Sequence, residues 1–203
     1  MKKILFSFVA VLALAVNVHA QSFDEDFKVW TFGYGIGAWI DPVLNTLENE
    51  ERYTDFKTSN VGPFYAKFEY GVTDEIGIGI NLAYVSRETN FTEVFDNGNG
   101  GNVYNYHNVS YNSFSFLLRL NKHFSDNDKI DVYWGTGLGY KSEDIAETET
   151  NASGYKHEKF SNPIPLGLDC TIGVRFYITP TLGIYIETGM AKSVMQFGLS
   201  GRF

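Results

Sequence analysis

The sequence predicts an all-β chain, a closed eight-stranded antiparallel up-and-down transmembrane barrel. Three observations predict it. Eight segments alternate apolar and polar residues with period two, as the side chains of a strand do. Every charge within those segments falls on the face opposite the apolar one. The connections alternate in length, long and polar at one end of the strands and tight at the other.

The first segment places Trp30, Phe32, Tyr34, Ile36, Ala38 and Ile40 on one face, against Thr31, Gly33, Gly35, Gly37 and Trp39. The second sets Phe64, Ala66, Phe68 and Tyr70 against Tyr65, Lys67 and Glu69. The third opposes Ile76, Ile78, Ile80, Leu82 and Tyr84 to Gly77, Gly79, Asn81 and Ala83. The fourth has Phe114, Phe116, Leu118 and Leu120 against Ser113, Ser115, Leu117, Arg119 and Asn121. In the fifth, Ile130, Val132, Trp134, Thr136, Leu138 and Tyr140 oppose Asp131, Tyr133, Gly135, Gly137 and Gly139.

The sixth sets Leu166, Leu168, Cys170, Ile172, Val174 and Phe176 against Gly167, Asp169, Thr171, Gly173 and Arg175. The seventh sets Leu182, Ile184, Ile186 and Thr188 against Gly183, Tyr185, Glu187 and Gly189. The eighth places Met195, Phe197, Leu199, Gly201 and Phe203 on one face, with Val194, Gln196, Gly198, Ser200 and Arg202 on the other. Tight turns are expected at Thr73-Asp74-Glu75, Ser125-Asp126-Asn127-Asp128 and Thr179-Pro180-Thr181. An Arg or Lys facing hydrocarbon at the midplane costs about 2–4 kcal/mol, so the segregation of charge is what a lipid solvent enforces.

Ahead of the barrel, Lys2 and Lys3 precede the apolar run Ile4 to Val16, and Val18-His19-Ala20 has small residues at cleavage positions. This reads as a secretory signal peptide over residues 1–20, with one domain over 21–203 opening on a short acidic lead. The net charge of -8 becomes -10 once Lys2 and Lys3 are removed, which makes nucleic acid an unsuitable partner. A single cysteine, Cys170, excludes an internal disulfide.

Eight strands enclose a space that side chains fill. The inward set is Lys67, Arg119, Arg175 and Arg202 against Glu69, Asp131, Asp169 and Glu187. Four against four is a structural charge network, because an unpaired buried charge is costly. Hairpin geometry suggests the pairs Arg119–Asp131 and Arg175–Glu187. The inward glycines leave room for bulky neighbours.

The glycine runs at Gly33, Gly35, Gly37 and at Gly135, Gly137, Gly139 are not phosphate loops, since no helix follows them. No metal-ligand spacing stands out, and neither metal nor cofactor is expected. His107 with Ser110, and His157 with Ser153, are the only Ser–His pairs that suggest catalysis, and neither has a supporting motif. The outer stretches are acidic: residues 41–59 and 142–162 each carry five acids against two bases. Residues 96–102 read as a polar tip.

With its alternating segments and its ending on Leu199-Ser200-Gly201-Arg202-Phe203, the chain resembles the small eight-stranded bacterial outer-membrane barrels, the OmpA- and OmpX-like group with its porin-like relatives. The resemblance implies a Gram-negative outer membrane with both termini periplasmic. It also implies contact with lipid and lipopolysaccharide, and insertion by the barrel-assembly machinery. Phe197, Leu199, Gly201 and Phe203 would then be the assembly signal. No common activity follows from it. The leading expectation is a non-enzymatic envelope protein whose acidic outer loops meet a surface partner or support envelope integrity. Alternatives are a narrow porin-like channel, a lipid A-modifying enzyme, and a soluble lipocalin-like barrel with its apolar faces turned inward.

Overall fold

The computed structural model describes residues 23–38, 52–96, 101–124, 127–151 and 154–203. The leader, Trp39, Ile40, most of the first acidic stretch, the tip at 97–100, Ser125, Asp126 and Ser153 lie outside the described residues. Nine strands are present among those described: β1 Lys28–Ala38, β2 Tyr53–Gly71, β3 Ile76–Asp96, β4 Asn102–His123, β5 Ile130–Asn151, β6 Gly154–Ser161, β7 Leu166–Tyr177, β8 Leu182–Met190 and β9 Ser193–Arg202. All pairings are antiparallel between chain neighbours, apart from β1 with β9 and β5 with β7.

Pairing of β1 with β9 closes the sheet on itself. Lys28 and Phe203 exchange backbone hydrogen bonds at 3.0 and 3.1 Å, so the last residue completes the seam. The lower half of β5 pairs with β7 and its upper half with β6. These two strands therefore form one wall in two pieces, and the barrel has eight walls. The break at 162–165 contains Pro163 and Pro165, which cannot donate to a ladder. Asn162 bridges the gap: its amide donates to Lys141 O at 2.9 Å and Ile164 O at 3.0 Å, and its Oδ1 accepts from Glu143 N at 2.9 Å.

The faces are as the alternation predicts. Phe32, Leu118, Leu138, Leu168 and Ile172 are exposed on the outside, while Tyr133, Tyr185 and the lumen charges are buried. A lipocalin-like inversion is thereby excluded. One ladder row runs Phe68–Ile80–Leu118–Leu138–Leu168 around the exterior. Cys170 also faces outward, where its sulfur accepts from Trp134 Nε1 at 3.3 Å. The alternation slips at one place. Val194 is exposed, and Ser193 turns inward instead, its Oγ 2.8 Å from Tyr65 OH.

The greater departure is in the outer stretches. Their described parts, 53–59, 86–96, 102–112, 142–151 and 154–161, are strands, not loops. β3, β4 and β5 run 21, 22 and 22 residues, whereas a tilted strand crosses a bilayer in about 9–11. The excess forms an open five-stranded sheet, β2-β3-β4-β5-β6, standing on one side of the rim. Among the described residues the upper part of β2 pairs with β3 alone and β6 with β5 alone. The inner face of this sheet has its own small core. Phe91 stacks between Phe56 and His107, at 5.2 and 4.9 Å, with Tyr53 edge-on at 5.3 Å.

Because that core is separate from the lumen, the barrel should close without it. Replacing residues 91–107 by an Asn-Gly turn, leaving Asn90 opposite Asn108, is expected to preserve a folded band that shifts on heating in electrophoresis. Loss of that band would make the projecting sheet part of the folding unit.

Candidate functional site

Two polar constellations stand out: the charges inside the barrel and the face of the sheet above it. In the lumen, the lower group is a closed ring of four. Arg175 reaches Glu69 at 2.5 Å and Asp131 at 2.9 Å. His123 reaches the same two carboxylates, through Nε2 to Glu69 at 2.8 Å and Nδ1 to Asp131 at 2.7 Å. The upper group is a chain. Lys67 meets Glu187 at 2.8 Å, Glu187 meets Arg119 at 2.9 Å, and Arg119 meets Asp169 at 3.3 Å. Tyr133 links the two, since its hydroxyl donates to Glu187 at 2.8 Å and its ring lies 4.2 Å from the Arg175 guanidinium. Gly173 makes this possible, because a Cβ there would stand 2.3 Å from the Tyr133 ring.

Three expectations change. Arg119 pairs with Asp169 and Glu187, not with Asp131; Arg175 pairs with Glu69 and Asp131, not with Glu187. The ladder explains both. Arg119 lies opposite Gly137, whereas Asp131 lies opposite Arg175 on the other side of β5. In β7–β8, Arg175 lies opposite Tyr185 and Gly173 opposite Glu187, which leaves the long side chains to reach across the barrel. The third change concerns Arg202. It sits at the mouth, donating to Pro180 O at 2.7 Å and Asp128 O at 3.0 Å, over the Tyr177 ring.

His123 takes the fourth cationic place. Both of its ring nitrogens face carboxylate oxygens, an arrangement that needs two N–H donors and hence the charged ring. Lys67, Arg119, His123 and Arg175 then balance Glu69, Asp131, Asp169 and Glu187. The period-two series Arg119, Asn121, His123 carries this signal, one residue pair beyond where the fourth segment was drawn.

Below His123 the lead segment enters the barrel. Phe23 is 1% exposed and stacks on the imidazole at 3.5 Å with the rings 3° apart. Gly71 permits this entry, since a Cβ there would lie 2.2 Å from Asp24 O. Asp24, outside the strands, is hydrogen-bonded to Asp74, and sharing that proton holds its carboxyl above the ordinary range. The cavity left among the lumen charges is about 10 Å3, room for about one water.

At the outer rim, Lys192 in the β8–β9 turn donates to Ser113, which donates onward to Ser142 O at 2.8 Å. Burial, then the charge of Lys141, pushes the Lys192 ammonium down to about 8, with Glu143 opposing. Higher, His107 lies 3.0 Å from Glu147 and 3.4 Å from Glu93 on the inner face of the sheet. Ser110 is on the opposite face of β4, three residues away in a regular strand, so the two cannot act as a pair. His157 contacts Thr148 at 3.1 Å. Among the described residues no group of side chains could hold a metal ion.

Arg175→Met is expected to lower unfolding stability by about 3–5 kcal/mol, because it leaves two buried carboxylates with one cation between them; urea titration of the detergent-folded protein measures it. Lys192 gives a pH effect. Below about 8 both folded and unfolded forms hold its proton. From there to the ordinary lysine value of 10.5 the unfolded chain keeps a proton that the folded one has released, so stability rises with pH. The urea midpoint should climb between about pH 8 and 9.5 and stay level in Lys192→Met. An equal climb in that variant would assign the titration to another group.

No protein-family model and no curated protein matches the chain. Among solved structures it is similar to the attachment invasion locus protein Ail of Yersinia pestis, at 13% identity over 88% of this chain and 99% of that one, with a TM-score of 0.43. It is similar to the outer membrane protein OprG of Pseudomonas aeruginosa, at 10% identity over 92% and 99%, with a TM-score of 0.44. The N-terminal β-barrel domain of Pseudomonas aeruginosa OprF aligns at 13% identity over 89% and 98%, with a TM-score of 0.39. The likeness is one of fold.

Proposed function

We propose that this protein is an integral barrel of a Gram-negative outer membrane, without catalytic activity. Its lumen is a structural strut, and its projecting sheet makes the outward contacts. The observation that carries this reading is the pairing of an apolar exterior with a filled, charge-balanced interior. Water around the barrel would meet a continuous belt of Leu, Ile and Phe, far beyond the apolar patches that soluble monomers carry. Hydrocarbon around it meets no charge. A closed sheet also pairs every strand edge within the belt, as lipid requires.

The β8–β9 turn lies at the same end of the barrel as the projecting sheet; the turns between β2 and β3, β4 and β5, and β7 and β8, with both ends of the described chain, lie at the opposite end. We assign that end to the periplasm and the sheet to the cell exterior. Phe197, Leu199 and Phe203 point outward at the seam, and Gly201 lies under the Trp30 ring. This is a surface that assembly machinery could grip before closure, which supports their reading as the assembly signal. The small lumen cavity, with Phe23 below it, speaks against a conduit. The acidic groups of the upper sheet, Glu93, Glu147 and Glu149, take neighbouring side chains as partners, so we assign them to holding that sheet together.

The protein is expected to fractionate with outer membranes and to show heat-modifiable migration; recovery as a soluble monomer without detergent would overturn the proposal. A sharper measurement is Leu118→Lys, on the lipid-facing row. It should cost about 2–4 kcal/mol of unfolding free energy in phospholipid vesicles, read by urea titration. A change within about 0.5 kcal/mol, as for an ordinary surface position, would place Leu118 in water.

A further inference from the structure

We infer that the inner side of the barrel's outer mouth is a binding site for a single doubly charged oxyanion, a sulfate or a phosphate, held by Lys192, Lys141 and Arg87. None of the three belongs to the lumen network, and the inference does not rest on the membrane reading above.

The register brings the three together. On the inner face, Val85, Ser113 and Glu143 form one row across β3, β4 and β5. Arg87 and Tyr111 stand in the row above, and Lys141, opposite Ser115, in the row below. Lys192 arrives from the β8–β9 turn, on the far side of the mouth, and donates to Ser113. Underneath, Ala83, Val85 and Leu117 are buried. These apolar side chains set the cluster apart from the charges lower in the barrel.

Donors outnumber acceptors here. Glu143 accepts from Tyr111 at 2.7 Å and from Lys141 at 2.9 Å. The Ser113 hydroxyl gives its proton to Ser142 O at 2.8 Å, so toward Lys192 it only accepts. An ammonium carries three N–H groups. Each lysine uses one on the partner named, which leaves both with donors for a further oxygen.

Charge points the same way. Among the described residues of this cluster, three cations stand against the one carboxylate of Glu143, whereas the lumen below is balanced. Burial, then the charge of Lys141, lowers the Lys192 ammonium to about 8, and burial lowers the Arg87 guanidinium as well. Like charges held near one another and away from bulk water disfavour each other; an anion between them reverses that. Tyr65, bonded to Ser193, and Tyr34, near Arg87, also face this region. Both are phenols, neutral at ordinary pH, and cannot take its place.

What stands higher limits the size of the anion. Further up the same face, Glu93 and Glu147 flank His107 at 3.4 and 3.0 Å. A polyanion lying along the sheet would meet these carboxylates as soon as it left the cations. One sulfate or phosphate group would not.

The test adds sodium sulfate to the full chain folded in uncharged detergent, against sodium chloride of equal ionic strength. Carbon NMR of isotope-labelled lysine follows the titration of Lys192, its signal assigned by its loss in Lys192→Met. In chloride the midpoint should lie near pH 8. Saturating sulfate should raise it by about one unit, and by reciprocity sulfate should bind about tenfold more weakly at about pH 10 than at about pH 7. In the double variant Arg87→Gln, Lys141→Gln, with its heat-modifiable band intact, the midpoint should start higher and no longer respond to sulfate. Dextran sulfate at the same sulfate concentration should raise the wild-type midpoint less than the free ion does. Equal midpoints in sulfate and chloride would overturn the inference, since a lysine that only ties the turn to Ser113 titrates alike in both. So would a full response in the double variant, or a larger shift with the polymer.

Discussion

An ion taken out of water costs several kcal/mol even after its surroundings relax, and this barrel takes in eight around a cavity of about 10 Å3. Nothing else in the molecule is bound by so strict a condition. The charges must sum to zero, and each must touch its opposite. Two of the pairs join non-adjacent strands: Lys67 on β2 meets Glu187 on β8, and Glu69 on β2 meets Arg175 on β7. The network spans the diameter, so the round cross-section and the pairings depend on each other. Buried pairs of this kind contribute little net stability compared with an apolar filling. What they enforce is register, because a one-residue slip of any strand would swing its lumen charge to the outer face.

The same condition explains how far the sequence could be read. Strand number, closure and the inward or outward sense of each side chain follow from period-two alternation between two solvents, and Lys67, Arg119 and Glu187 were placed by that rule alone. Pairing did not follow. Which acid meets which base depends on register at three or more strands together, and a ladder offset set by turn length moved Asp131 away from Arg119 and beside Arg175. Charge neutrality itself was legible as four against four, but with Arg202 in the place that His123 occupies. The alternation continues through His123, two residues past Asn121, where β4 ends. Phe23 had no signal of this kind, because its burial depends on a chain entry that no periodicity records.

The upper sheet was hidden for a different reason. Alternation identifies a strand only where the two faces see different solvents. In the described parts of 86–112 and 142–161 polar residues occupy both faces. The ladder hydrogen bonds are then the main determinant, and their continuity from the barrel below carries β3, β4 and β5 upward. Phe91 and His107 on the inner face supply the packing that an isolated hairpin would lack.

The lead segment adds a constraint at the other end. Phe23 covers a charged imidazolium with a flat apolar ring, sealing the ring of Glu69, Asp131, Arg175 and His123 from that end of the barrel. With the seal in place these charges face protein in every direction, so their mutual attraction is not diluted by water. Without it, the lower carboxylates would be one layer from solvent and the need for exact compensation by His123 would relax. Asp24 and Asp74 sit beside this entry, on the solvent side, where a shared proton costs little. The segment thus contributes by exclusion of water: a single buried phenyl ring lets the lower charge ring persist as a dry structure at the end of a barrel otherwise open to the aqueous phase.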